Sequence, residues 1–67
     1  MDYMHRILWL LFALSISMEN GERMYNIVEI EAYESEQDCN RQKYLNRQQL
    51  KDDPLILAID CAQIADI

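Results

Sequence analysis

The dipeptide Asn20-Gly21 in "SISMENGERMYNIVEIEAY" constrains this chain more than any other feature. A two-residue type I′ hairpin turn needs positive φ at both central positions, which asparagine and glycine tolerate best. The residues on either side alternate in character with a period of two, as half-buried strands do. Before the turn, Leu14, Ile16 and Met18 interleave with Ala13, Ser15 and Ser17. After it, Val28, Ile30 and Ala32 interleave with Glu29 and Glu31. Counting outward from the turn pairs Glu19 with Glu22, Ile16 with Tyr25, Leu14 with Ile27 and Ala13 with Val28.

The same region admits a rival reading. "ILWLLFAL" has the length of a signal-peptide core, Arg6 precedes it, and Ser15 and Ser17 offer small residues for cleavage after residue 17. Asp2 offsets Arg6, however, and a signal peptide has no reason to be followed at once by a matched hairpin partner. The hairpin is the preferred reading. The apolar run Ile7–Leu14 is also far short of the roughly 20 residues that a membrane-spanning helix needs.

Past the hairpin, Ser35 reads as a helix N-cap, with Glu36 and Asp38 suited to the positive helix start. Arg47 and Lys51 suit the other end, and Pro54 forbids further helix. A helix over about Glu36–Lys51 is expected. Its apolar stripe is poor: Cys39 and Leu50 share a face, while Tyr44 and Leu45 point elsewhere. "LILAIDCAQI" alternates again and reads as a third strand. The order β-β-α-β makes an α+β fold. A right-handed crossover brings the third strand beside the first, giving a three-stranded antiparallel sheet of order 2-1-3 with one helix on one face.

Sixty-seven residues allow one domain, residues 1–67, with a thin core. A chain of this size buries only roughly 60% of its unfolded surface, so a partner, a dimer or a disulfide matters to its stability. Twelve Asp and Glu oppose six Lys and Arg. That balance argues against direct binding of nucleic acid, which needs a basic patch. It suits a basic protein partner, or serves solubility alone. Seven of the acids fall between Glu19 and Asp38. Within this segment Glu29, Glu31 and Glu34 are the candidate partner-binding residues, with Glu29 and Glu31 on one side of a strand about 6.7 Å apart.

Cys39 and Cys61 are the only cysteines. The proposed topology could bring them together as a disulfide. In a reducing compartment they read instead as two small buried hydrophobes, and that reading is preferred. His5 could join them at a zinc ion or as a base, but four metal ligands or an orienting third group are not in sight. No catalytic, cofactor-binding or metal-binding residue is expected, and no enzyme activity.

One helix cannot cover both faces of a sheet. The turn register puts Trp9, Leu11, Ala13, Val28, Ile30 and Ala32 on the helix side; Cys61 joins them if it meets Cys39, bringing Leu57 and Ile59. Leu8, Leu10, Phe12, Leu14 and Ile16 then line the opposite side, beside Tyr25, Ile27 and Tyr33. So large an apolar stripe calls for a cover. A homodimer packed sheet on sheet is expected, with Leu10, Phe12, Leu14, Ile16, Tyr25 and Ile27 in its interface.

"LFAL", the acidic glycine turn, "VEIEAYESEQDC" and the later cysteine on a strand resemble a small prophage-associated bacterial family of unknown function. The chain departs from that family in lacking a Pro-rich tail after "AIDCAQI". The resemblance implies a phage or prophage source and no particular activity. The functional expectation is a non-enzymatic, acidic protein-interaction module, such as a phage-derived inhibitor of a host protein, working in the cytoplasm. The alternative is an exported protein, periplasmic or secreted, with signal peptide 1–17 and a Cys39–Cys61 bridge.

Overall fold

The computed structural model describes residues 6–66. Strands β1 (Arg6–Glu19) and β2 (Glu22–Tyr33), helix α1 (Glu36–Leu50) and strand β3 (Ile56–Asp66) follow one another along the chain. The sheet has the order β2-β1-β3, and β1 is antiparallel to both neighbours. This is the α+β arrangement that the alternation and capping signals predict. Residues 1–5, with His5, lie outside the described part.

The turn is built as its residue types dictate. Asn20 has φ 53° and Gly21 has φ 80°. From there the ladder runs through Glu19–Glu22, Ile16–Tyr25, Leu14–Ile27 and Ala13–Val28, as counted from the sequence. Beyond Val28 the count fails. Phe12 pairs with Glu29 but Leu11 pairs with Glu31, so Ile30 is an extra residue in β2, a β-bulge. Side chains past a one-residue shift change faces. Ala32 therefore joins Leu10 on the side away from the helix, and Tyr33 joins Trp9 on the helix side. Both placements reverse the expected ones.

A second irregularity affects β3. Leu14 pairs with Ala58 and Ser15 with Ile56, which leaves Leu57 as the extra residue. Ile56, not Leu57, packs against the core, and Leu57 is 49% exposed.

Helix α1 starts where the sequence places its cap. Ser35 has extended backbone, and its Oγ accepts a hydrogen bond from the Asp38 N–H at 3.1 Å. After the helix, the Asp53 N–H donates to the Leu50 carbonyl and Asp53 Oδ1 accepts from the Leu55 N–H. The Ile16 N–H donates to the Leu55 carbonyl at 2.8 Å, which ties the start of β3 to β1.

The core lies between α1 and the sheet and is small. Leu11, Ala13, Cys39 and Ile59 are buried, with Trp9, Tyr33, Leu50, Ile56 and Cys61 packed partly against them. Cys39 and Cys61 form a disulfide, across 6.3 Å between Cα atoms, rather than lying as separate thiols. It joins the first turn of the helix to β3 at the level of Leu11. The fold measures 54 × 26 × 11 Å, room for one sheet and one helix and no third layer.

Candidate functional site: the open face of the sheet

The helix covers one face of the sheet and leaves the other bare. Along β1 the bare face carries Leu8, Leu10, Phe12, Leu14, Ile16 and Met18. The pairing sets Ala32, Glu29, Ile27, Tyr25 and Arg23 beside this row on β2. It sets Ile64, Ala62, Asp60 and Ala58 on the β3 side. Leu8, Leu10, Phe12, Leu14 and Ile16 are half-buried between their neighbours. The flank is far more open: Tyr25 is 60% exposed, Met18 65% and Ile27 68%. Leu10, Phe12, Leu14, Ile16, Tyr25 and Ile27, the six expected interface residues, all stand on this one face.

The distal end differs from the rest. β3 pairs with β1 only as far as Ser15, so the hairpin beyond is a two-stranded ribbon. The ribbon is polar on the helix side, where Ser15 Oγ donates to the Asn26 carbonyl and Asn26 Nδ2 donates to Ser17 Oγ. On the bare side it presents Ile16, Met18 and Tyr25, with Arg23 opposite Met18. Sequence reasoning did not assign Met18 and Arg23 to the face, although their parity with Ile16 and Tyr25 was there to be counted.

The three candidate glutamates do not act as one stripe. Glu29 stands opposite Phe12 on the bare face, whereas the bulge turns Glu31 to the helix side, opposite Leu11. There Glu31 Oε2 accepts a hydrogen bond from the Tyr33 hydroxyl at 3.0 Å. Partial burial, followed by this bond to Glu31 and the nearby charges of Glu31 and Asp38, raises the Tyr33 pKa above its ordinary value. Glu34 follows β2 and precedes the cap Ser35. The acidic group is therefore divided between two faces by a single inserted residue.

The outer edge of β3 is blocked by side chains. Arg47 donates from Nε and Nη2 to the Ile59 carbonyl at 3.0 and 2.7 Å. Asp60 Oδ1 accepts from the Cys61 N–H at 2.8 Å and lies 3.5 Å from Lys43 Nζ. Those contacts occupy backbone groups that an edge strand would otherwise offer to another chain. They also lower the Asp60 pKa: the Cys61 N–H acts most strongly, burial opposes it next, and Lys43 and then Arg47 add to the lowering. Arg47 is assigned by sequence only to the helix dipole, and its reach to β3 depends on the crossover geometry.

Other chemistry is sparse. Among the described residues no group of three His, Cys, Asp or Glu side chains could hold a metal ion, and no cysteine is free. An open groove of about 310 Å³ runs between Arg47, Leu50 and Lys51 on the helix side and Ile56–Ile59 on β3. No described helix is long and apolar enough to cross a membrane. Compared with family models, curated proteins and solved structures, the chain matches none.

Proposed function

We propose that the chain is a non-enzymatic protein-interaction module that works by laying the bare face of its sheet against another protein surface. One observation carries this reading. Tyr25 and Ile27, 60% and 68% exposed, continue a row of half-buried leucines with no layer over them. Aromatic and large aliphatic residues in one patch are the usual anchors of a protein interface. The net charge of −6 suits a partner with a basic rim, with Glu29 on the face itself and Glu31 and Glu34 at the β2–α1 corner. The prophage resemblance suggests an inhibitor of a host protein, working in the cytoplasm.

A photo-crosslinking residue at position 27 tests the reading, with a second chain labelled at Gln48 on the helix as the control. Position 27 should give protein adducts in cells and position 48 should not. Equal labelling from both positions, or none from position 27, would overturn it.

The disulfide favours a second reading of the compartment. Such bonds persist in oxidising surroundings and are rare in the cytosol. Cleavage after Ser17 would, however, remove nearly all of β1, the strand that joins β2 to β3. Intact mass from the native host separates the readings: an exported, processed chain starts at Met18 and is lighter by two hydrogens.

A further inference from the structure

We propose that the bare face takes a second copy of this chain, in a crossed two-fold dimer whose axis passes between the Ile16–Tyr25 and Leu14–Ile27 pairs. The inference rests on the interaction-module reading and names the partner.

The argument starts from charge. On the β1–β2 part of the bare face two described side chains are ionised, Arg23 opposite Met18 and Glu29 opposite Phe12. Both are exposed, and neither has an ion-pair or hydrogen-bond partner among the described residues. They stand on one strand, about 20 Å apart by the strand rise. Between them the face is apolar: Tyr25 and Ile27 on β2, Ile16 and Leu14 on β1. A cation and an anion flanking an apolar centre are self-complementary under a two-fold axis at their midpoint.

Two in-plane axes allow sheets to pack face to face. An axis parallel to β1 lays β2 over the second copy's β3. It sets Glu29 over the second copy's Asp60, because both flank Phe12. Like charges would meet twice and Arg23 would meet nothing. An axis across the strands keeps β2 over β2 and reverses its direction. Placed at the level of Asn26, midway between the two charges, it sets Arg23 over the second copy's Glu29, and Glu29 over its Arg23. The same operation sets Ile27 over Tyr25, Leu14 over Ile16 and Phe12 over Met18, each against the other copy. Every apolar residue of the distal half then meets an apolar residue. Stacked sheets turn by about 30° to each other, which displaces Arg23, about 10 Å from the axis, by about 5 Å. A long arginine side chain spans that offset. β3 has no residue paired at the level of Met18, so nothing of the second copy's β3 lies over Asp60, which stays paired with Lys43.

Sedimentation equilibrium of the purified full chain tests the proposal, with far-UV circular dichroism as a check on folding. The wild type should associate to twice the 8.0 kDa chain mass. Arg23→Glu and Glu29→Arg should each weaken association tenfold or more, and the double swap should restore it. The two single swaps change net charge in opposite directions, so general repulsion cannot weaken both. A chain monomeric up to millimolar concentration overturns the proposal. So does a dimer that ignores both swaps or is not rescued by the double swap. Crosslinking from position 27 in cells separates this from the reading beneath it: adducts to a different protein alone sink the dimer and keep the interaction face, while no adducts sink both.

Discussion

Leu11 stands opposite Glu31 while its neighbour Phe12 stands opposite Glu29, so Ile30 has no partner across the ladder. Deleting Ile30 would therefore leave every existing pair in place: Glu31 would still meet Leu11, and Tyr33 would still meet Trp9. The expected cost is under about 1.5 kcal/mol, for an exposed isoleucine and a changed twist. Deleting Met24 is different. With the turn fixed, it moves Tyr25 and Ile27 to the polar side of the ribbon and should cost at least about 2 kcal/mol. Urea unfolding of the two variants checks the bulge, and equal losses would place the irregularity elsewhere.

The bulge marks where the sequence stops being legible. From Asn20-Gly21 outward the pairs can be counted, because the turn fixes φ and hence register. "VEIEA" then keeps its period of two straight through Ile30, and nothing in it announces an extra residue. What decides is tertiary: Tyr33 packs on the core formed by Leu11 and Cys39, and the shift puts it there. Leu57 is alike. Its strand is held on one side by the Leu55 carbonyl bonded to Ile16 and on the other by the Cys61 disulfide, so the surplus residue bulges outward. The bare face was legible as a stripe, because five large residues at even spacing cannot all lie under one helix. Its charges were not, since Glu31 changes sides with the bulge.

Gly21 has φ 80°, and a Cβ added there would meet no atom within 4 Å. Any loss on substitution is then a backbone effect alone. Gly21→Val should cost about 1–3 kcal/mol, since a β-branched residue is strained at positive φ. An unchanged melting curve would show that this turn does not hold the hairpin.

Arg47 contacts the Ile59 carbonyl through two nitrogens and so adds a polar tie between helix and β3 to the Cys39–Cys61 disulfide. Arg47→Met keeps the aliphatic length and removes the donors. A loss of about 1–2 kcal/mol is expected for a charge-assisted bond at a partly buried carbonyl. The exposed edge should also increase aggregation on heating. Light scattering during a thermal ramp reads the second effect. A variant as soluble as the wild type would show that Arg47 does not guard the edge.

Cys39 and Cys61 close a loop with a sequence separation of 22 residues, in a fold whose buried core, among the described residues, is four residues. Loop closure of that length is worth about 3 kcal/mol, a large share of the stability open to so thin a core. Reduction, or Cys61→Ser, should lower the urea midpoint sharply and free α1 from β3. Thermal melts with and without reductant are the measurement. Superimposable melts would mean that Leu50, Ile56 and the Arg47 bonds hold the helix without the disulfide.

Asp60 gives the last prediction. Its carboxylate accepts the Cys61 N–H and faces Lys43, and its pKa is lowered from the ordinary value of 3.8. The fold therefore favours the ionised form. The resulting stabilisation is fully present above the ordinary carboxylate pKa and is lost as pH falls through the lowered folded value. Asp60→Asn keeps an oxygen for the Cys61 N–H and removes the charge. The side chain is 58% exposed, so solvent screens the Lys43 attraction and the effect should be small. The urea midpoints of wild type and variant should differ most near neutral pH and converge as the pH falls through the lowered folded value. Comparing the two chains at each pH isolates this one group. A gap of constant size from pH 2.5 to 7 would show that the charge contributes nothing and that the oxygen alone holds the Cys61 N–H.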